Sequence, residues 1–341
     1  LAHDQMATIF TFAKFKPDKF SEQKRQNLTI KFYEKKRKIL GFKKLYDYDR
    51  YAPLGESKSI YKFDECKKIV LETFSKFSPK FGEIAARAFK EGWIDVYPAE
   101  NKRGGAFSQS GVAKAHPYVL LNHTDERRDL FTLAHELGHA AHQNLAYESV
   151  GFLNADTPLT TAETASVFCE MLVFDHVKST LKGREKTALL AGKIEDIFAT
   201  LYRQINFTTF ERRVHAHEGE ISAEELNKIW LEESAKMFGK SVALNDYYKI
   251  WWSYIPHFIH TPFYCYAYSY AQLLVLAIFG LYKSGKCENF VQIYTEFLSA
   301  GGSRSPKELV GMFGFDIEDA AFWQIGINEV RKLVEEFCKE A

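Results

Sequence analysis

One stretch of the sequence, FTLAHELGHAAHQ, places three histidines and a glutamate inside an apolar run that favours an α-helix. Burying polar side chains costs free energy unless they have partners. The leucines and alanines between Leu130 and Ala141 predict that this helix is buried on most of its sides. The fold must therefore surround one helix and also give its polar side chains something to bind.

The spacing of these polar residues indicates a metal site. His135, Glu136 and His139 form the pattern H-E-x-x-H. Residues four apart lie on one helix face, about 6 Å apart, so two imidazoles can bind one ion. Core histidines satisfied by hydrogen bonds are the alternative, but a spaced pair beside a glutamate favours zinc. We interpret His142, which is too close along the helix to be an obvious ligand, as a supporting or structural residue.

Catalytic zinc usually has three protein ligands and leaves a fourth position to water. The pattern with a third histidine ten residues after the first fails here, because that position is Leu145. In the segment TTAETASVFCEML, Glu163 lies 24 residues after His139, and Glu170 lies two helical turns further on. We expect Glu163 to be the third ligand, and Glu170 to be its substitute or the partner of a ligating histidine. A capping box formed by Thr160 and Glu163 is the alternative explanation for Glu163.

Most of the remaining sequence has helical texture. Apolar residues recur at three-to-four spacing from Ala7 to about Leu45, from Tyr61 to about Gly92, and again after the H-E-x-x-H segment. Between residues 92 and 122, the segments GWIDVYP, GAFSQSG and HPYVLLN are rich in β-branched and aromatic residues, which predicts three short strands. We therefore predict a mainly α protein, a single α-rich catalytic domain over residues 1–341, with a small β-sheet just before the H-E-x-x-H helix.

The segment from Tyr266 to Tyr282 is uncharged and close to the length of a membrane span. Ser269, Gln272 and several tyrosines interrupt it, so we predict a buried core helix and no membrane partner. Glycine and proline predict loops at residues 49–59, 151–159, 256–263 and 299–306.

The charge balance excludes a strongly basic or acidic protein. Lys and Arg number 45 and Asp and Glu 44, which leaves a net charge of +1 and no field to recruit nucleic acid. We interpret the densest basic cluster, residues 33–40, as a solvated helix face. Five cysteines, an odd number without CxxC spacing, argue against a disulfide framework and a thiolate metal site. Because we also recognise no signal peptide, we expect a cytoplasmic protein.

The segments from Gly92 to Glu170 and from His257 to Ala271 closely resemble the oligoendopeptidase F family, relatives of thimet oligopeptidase and neurolysin. The extended motif H-E-x-G-H-x-x-H is matched through Gly138 and His142, and the third zinc ligand, at the start of an E-x-x-S helix, by Glu163. The resemblance implies a zincin-type endopeptidase with one Zn²⁺ per chain, in a channel that admits oligopeptides. Family members are usually much longer at the N-terminus, so we expect a helical segment that walls the channel to be absent.

Several residues have expected catalytic roles. Glu136 follows His135 by about 100° around the helix, which places its carboxylate beside the metal, where a general base is needed. The resemblance places a tyrosine that faces the substrate carbonyl at Tyr266, and more weakly implicates Tyr264 and His257. Without the resemblance, an aromatic cluster of this kind is more often core packing.

We expect the substrate to be an extended oligopeptide. The segments RGGAFSQS and HPYVLLN could present a sheet edge to which a peptide adds as a further strand. Gly104 and Gly105 would permit close approach there, or would form an ordinary hairpin turn. The alternatives to an endopeptidase are a zinc carboxypeptidase, an amidase acting on a small amide, and a helical module that binds metal without turnover.

Overall fold

A computed structural model describes residues 22–55, 59–110 and 115–341 of the chain. The helical segment predicted from Ala7 lies outside the described residues as far as residue 21. The helices in the first part of the described chain are α1 (Glu22–Ile39), α2 (Phe63–Phe77), α3 (Pro79–Lys90), α4 (Arg127–Val150), α5 (Phe152–Ala155), α6 (Leu159–Ala162), α7 (Thr164–Thr180) and α8 (Gly183–Thr200). Those that follow are α9 (Tyr202–His215), α10 (Ala223–Phe238), α11 (His257–His260), α12 (Tyr266–Ser284), α13 (Phe290–Ser299), α14 (Pro306–Gly311) and α15 (Ala320–Glu340).

Three short strands precede α4, as the sequence predicts: β1 (Ile94–Asp95), β2 (Phe107–Gln109) and β3 (Tyr118–Leu120). The strand order is β1-β3-β2, with β3 parallel to β1 and antiparallel to β2. Because β3 is the central strand, the expectation that HPYVLLN offers a free edge is wrong. The other segment expected to offer an edge, RGGAFSQS, contains β2, which is an outer strand. The predicted mainly α fold with a small sheet directly before the H-E-x-x-H helix is confirmed.

The described residues form two compact units. The first unit contains the described residues up to 55 together with Lys182–Leu273 and Ile327–Ala341, and the second contains the described residues from 59 to 181 together with Leu274–Gly326. The assignment of residues 1–341 to a single catalytic domain stays a prediction.

The second unit is built around α4. Helix α4 packs most extensively against α7 and also contacts α2, α3 and α13. Aromatic rings fill the space beside α7: Phe168 lies 5.1 Å from Phe77 and 4.5 Å from Tyr294 between ring centroids. Such contacts give α7, the main packing partner of the H-E-x-x-H helix, a rigid support.

The first unit has its own core, in which the ring of Phe32 packs against Phe198 and Phe337. We predicted that residues 33–40 form a solvated helix face, but part of this stretch of α1 is buried. Tyr33 and Lys36 are 1% exposed, and the Lys36 ammonium pairs with the Glu195 carboxylate. A lysine can be buried here because its charge has a partner.

Helix α12 is a buried helix, as predicted from its uncharged sequence, and residues 273–279 are all buried. Within the described parts of the chain, no helix has both the length and the apolar character that a membrane span requires. The predicted loop at residues 256–263 contains the short helix α11, and the loop at 151–159 contains α5.

Candidate metal centre

Three side chains converge at the junction of α4 and α7. His135 and His139 lie on successive turns of α4, and Glu163 is the residue immediately before α7. The Glu163 Oε2 atom is 3.2 Å from His135 Nε2 and 3.5 Å from His139 Nε2. One ligand atom from each residue lies within 4.8 Å of the others, so the three can hold one metal ion. The structure thus brings together the three residues that the sequence predicts as ligands.

Gly138 permits this convergence. A Cβ atom at position 138 would lie 2.7 Å from both the Ala165 carbonyl oxygen and the Ser166 Cα atom of α7. Real Cβ contacts are not that short, so only glycine lets the backbones of α4 and α7 approach this closely. The approach brings Glu163 within reach of both histidines.

Two further α7 side chains fix the donors. The Glu170 Oε2 atom lies 3.4 Å from His135 Nδ1, and the Ser166 hydroxyl donates to Glu163 Oε2 at 2.8 Å. A carboxylate on the second ring nitrogen is the usual partner of a histidine that binds metal through the first. Glu170 therefore has the position of an orienting partner of His135, the second of its two predicted roles.

The capping-box explanation for Glu163 is wrong. Pro158 precedes α6, Glu163 precedes α7, and neither helix receives a side-chain cap. The Thr160 hydroxyl is buried and has no hydrogen-bond partner among the described residues. Glu163 is thus held by the histidines and Ser166 and not by a helix-capping interaction.

The donor cluster behaves electrostatically as a set of coupled charges. Burial lowers the pKa of His135, but hydrogen bonds to Glu163 and Glu170 outweigh that effect and raise the pKa to about 10. Burial raises the pKa of Glu163, but hydrogen bonds to His135 and His139 outweigh that effect and hold the pKa of the carboxyl well below its usual range.

Glu136 lies beside this cluster and not within it. Its side chain is buried, with one hydrogen bond to the backbone of Ser108. Its Oε2 atom is buried without a partner in the described part of the chain. Burial raises the pKa of Glu136, and the nearby His135 and His139 oppose that rise. An unsatisfied buried carboxylate oxygen next to a His-His-Glu donor set fits a zinc site that includes a water molecule.

Ser108 and Gln143 join the sheet to the H-E-x-x-H helix, a contact that sequence reasoning missed. The Ser108 hydroxyl donates to Gln143 Oε1 at 2.8 Å, and Gln143 Nε2 donates to the Ser108 carbonyl at 3.1 Å. Strand β2 is therefore anchored to α4 one turn after His139. The two residues are 35 positions apart in the chain, so no local spacing in the sequence predicts their contact.

A cavity of about 400 Å³ opens onto the donors. Strand β2 and residues 115 and 117 line one part, the polar face of α4 lines another, and residues 155–157 line a third. Gly105, which precedes β2, has φ of +83° and open space around it, so it serves the turn there. The cavity is thus bounded by an outer strand on one side and by the metal donors on another.

His142 lies where a supporting or structural role, as predicted, is possible, and that role stays a prediction. Its ring is buried and hydrogen-bonds to the backbone of Leu298, near the end of α13. Burial is the main cause that lowers the pKa of His142 to about 3. A neutral imidazole at this position ties α4 to α13 and does not belong to the His-His-Glu set.

The other predicted residues lie in the first unit, whereas the metal donors lie in the second. His257 begins α11, Tyr264 precedes α12, and Tyr266 is its first residue. The His257 and Tyr264 rings stack with centroids 5.9 Å apart, and His257 Nε2 is 3.2 Å from the Tyr268 hydroxyl. Tyr266 is 6% exposed. The structure thus brings His257 and Tyr264 together, and the roles of all three residues stay predictions.

Residues 18–329 of the chain match the family described as Peptidase family M3. The chain belongs to the M3 peptidase family. The M3 match includes α4, α7 and the segment from His257 to Tyr266, so the family resemblance inferred from the sequence is confirmed.

Relatives and solved structures of the M3 peptidase family agree with this membership. An oligoendopeptidase F homologue of Borreliella burgdorferi is 32% identical over 317 residues, covering 90% of this chain and 53% of the relative. The oligopeptidase PepF of Bacillus subtilis is 30% identical over 290 residues, covering 83% of this chain and 42% of the relative. The chain thus spans about half the length of the curated relatives it matches.

Solved structures share the fold. A crystal structure from Chlamydophila abortus superposes with a TM-score of 0.84 at 29% identity, covering 93% of this chain and 54% of that chain. The oligoendopeptidase F of Enterococcus faecium has the same fold, with a TM-score of 0.67 at 22% identity over 94% of this chain and 51% of its own.

Proposed function

We propose that this chain is a zinc-dependent endopeptidase that hydrolyses internal peptide bonds of oligopeptides. The observation that carries the proposal is the position of Glu136, whose unpartnered buried oxygen lies beside the donor set of His135, His139 and Glu163. Membership of the M3 peptidase family supports the same reaction class.

In this proposal His135, His139 and Glu163 hold the ion, since two imidazoles and one carboxylate are a common ligand set of catalytic zinc. When bound, zinc acts as a Lewis acid and lowers the pKa of a coordinated water towards about 7. Glu170 holds the ring of His135 through Nδ1, which keeps Nε2 directed at Glu163.

Glu136 moves the protons. Its carboxylate accepts a proton from the attacking water and then gives a proton to the leaving amine. Two features of the site suit this exchange: burial raises the pKa of Glu136, and the hydrogen bond to the backbone of Ser108 holds the carboxylate in place. Ser108 is in turn fixed by Gln143.

The oxyanion formed from the substrate carbonyl needs a hydrogen-bond donor. We propose Tyr266 for this role, with Tyr264 and His257 as further contacts to the substrate. The mutual stacking of Tyr264 and His257 supports the idea that they act as one preformed group. The substrate itself would lie beside the outer strand β2 and use main-chain groups other than those of Ser108, which Glu136 and Gln143 bind.

An internally quenched, end-blocked peptide of about nine residues tests the proposal, with zinc content measured in every sample. We expect the wild-type protein to cleave within the peptide, a chelator to stop cleavage, and zinc to restore it. Glu136→Gln should keep stoichiometric zinc and lose about 10² to 10⁴-fold in kcat. Glu148→Gln is the matched control, because Glu148 is a half-exposed carboxylate on the same helix.

Each alternative gives a different result. A carboxypeptidase would leave the end-blocked peptide intact and cleave the same peptide with a free C-terminus. An amidase would release only the blocking amide. If the wild-type and Glu136→Gln proteins both bind zinc and neither cleaves any peptide, the chain binds metal without turnover and the endopeptidase proposal fails.

A further inference from the structure

A buried carboxylate in the first unit has no role in the proposed chemistry. Glu211 lies on α9 and is 2% exposed. Its Oε1 atom accepts a hydrogen bond from the backbone N–H of Phe263 at 2.7 Å, across 52 residues of sequence. Its Oε2 atom is buried without a hydrogen-bond partner in the described part of the chain. A buried carboxylate directed at a single backbone N–H is costly, so the contact it makes calls for a reason.

Phe263 supplies that reason. Its φ is +60°, in the left-handed region that a bulky side chain rarely adopts. Such a conformation persists only when surrounding contacts enforce it. The hydrogen bond that the Phe263 N–H donates to Glu211 is one such contact, and the His215 ring, 4.7 Å from the Phe263 ring between centroids, is another. Both come from α9.

The turn around Phe263 leads directly into the aromatic segment. The Tyr264 N–H donates to the Thr261 carbonyl at 3.2 Å, and the Ala267 N–H donates to the Tyr264 carbonyl at 2.9 Å. Tyr264 stacks on His257, and the next residue but one, Tyr266, begins α12. A change in the backbone at Phe263 would therefore rotate Tyr264 away from His257 and shift the start of α12.

We propose that Glu211 is a positioning residue: by holding Phe263 in its left-handed conformation, it fixes the turn that places Tyr264 and Tyr266. This inference rests on the proposed function, in which those tyrosines contact the substrate. The length of the Glu211 side chain matters here and its charge does not, because its one hydrogen bond is to an uncharged backbone N–H.

Two substitutions separate reach from charge. Glu211→Asp keeps the carboxylate but shortens the side chain by one methylene, so the carboxylate no longer reaches the Phe263 N–H. Glu211→Gln loses the charge but keeps an oxygen that can accept the bond. We expect Glu211→Asp to lower kcat about tenfold or more with zinc content unchanged, since misplaced catalytic groups cost rate steeply. Glu211→Gln should remain within about threefold of the wild type.

Hydrogen exchange provides a measurement independent of activity. Glu211→Asp should speed amide exchange in residues 261–267 by about tenfold or more and leave most of α9 unchanged. Phe263→Gly in the Glu211→Asp background should recover about threefold or more of the lost kcat, because glycine adopts positive φ without strain. Glu233→Asp is the matched control, since Glu233 is also 2% exposed in the first unit but binds Arg213 and Lys236.

Three results would overturn the proposal. The first is unchanged exchange at residues 261–267 in Glu211→Asp. The second is a larger loss of kcat in Glu211→Gln than in Glu211→Asp, which would show that charge matters and reach does not. The third is the same loss and the same exchange pattern in Glu233→Asp, which would indicate general destabilisation. If the wild-type protein cleaves no peptide, the proposed function fails, and the exchange comparison still decides whether Glu211 holds the turn.

Discussion

The metal donors and the aromatic segment differ in how their geometry is specified. His135 and His139 are placed by the four-residue spacing of a single helix, and Glu163 immediately precedes the helix that packs on it. His257, Tyr264 and Tyr266 lie instead at a break between α11 and α12, where Phe263 has a strained conformation held by Glu211 from another helix. The first arrangement follows from local periodicity, whereas the second depends on a distant contact.

This difference predicts which changes each region tolerates. Substitutions that leave helix packing intact should leave the donor set in place, because regular backbone hydrogen bonds fix it. The aromatic segment should be sensitive to single contacts, because a strained turn has no periodic structure to restore it. The two regions should also be separable by experiment, one through metal affinity and the other through rate.

The largest separate effect should come from Tyr266→Phe. If Tyr266 donates to the developing oxyanion, loss of its hydroxyl should lower kcat by about 10² to 10³-fold. Zinc content should not change, because Tyr266 is not among the metal donors. Steady-state kinetics measure kcat, and metal analysis measures the zinc content. Tyr247→Phe is the control, because Tyr247 is 80% exposed. A zinc-depleted Tyr266→Phe protein would contradict the separation of the two regions.

Glu170→Gln should show the converse behaviour. Because Glu170 contacts His135 Nδ1, the substitution should weaken zinc affinity by about 10 to 100-fold. At saturating zinc, kcat should largely recover, since the donors themselves remain. Zinc titration against a competing chelator measures the affinity, and Asp175→Asn on the same helix, which removes a contact with Lys283, is the control. Unchanged zinc affinity in Glu170→Gln would refute an orienting role.

The last effect concerns stability, not rate or metal affinity, and comes from His142. Its pKa is about 3 in the folded protein and about 6.5 when unfolded. Below pH 6.5 the unfolded chain therefore binds a proton that the folded chain does not, so falling pH destabilises the fold. The stability advantage of the wild type over His142→Gln should shrink by up to about 1.4 kcal/mol per pH unit between those pKa values.

Urea unfolding of both metal-free proteins at several pH values measures this difference, and removing zinc beforehand keeps metal release out of the comparison. Other titrating groups change both proteins alike and cancel. A constant difference between pH 7 and pH 4 would show that His142 is not held neutral by burial.

The sequence predicted the regular parts of the molecule well, for a physical reason. The H-E-x-x-H helix, the buried α12 and the three strands have periodic or compositional signals that survive in the fold. The sequence placed Glu163 by its distance after His139, but the contact that brings the two helices together is the backbone packing at Gly138.

What the sequence did not predict are contacts between residues far apart in the chain. Gln143 with Ser108, His142 with Leu298 and Glu211 with Phe263 leave no trace in local periodicity. The burial of Lys36 was missed for the same reason, because its partner Glu195 lies 159 residues away. Each of these contacts depends on which helices pack together, and a hydrophobic pattern does not determine that choice.

Gly138 has no functional group, yet it limits the mutations that the metal centre can accept. A methyl group there would have to move from 2.7 Å to at least 3.4 Å from the Ala165 carbonyl before the contact became ordinary. Metal–ligand distances tolerate displacements of only about 0.2 Å. A single added carbon would thus exceed the working tolerance of the site while leaving every ligand in the sequence. Searches for inactive members of this family should therefore inspect this position as closely as the histidines.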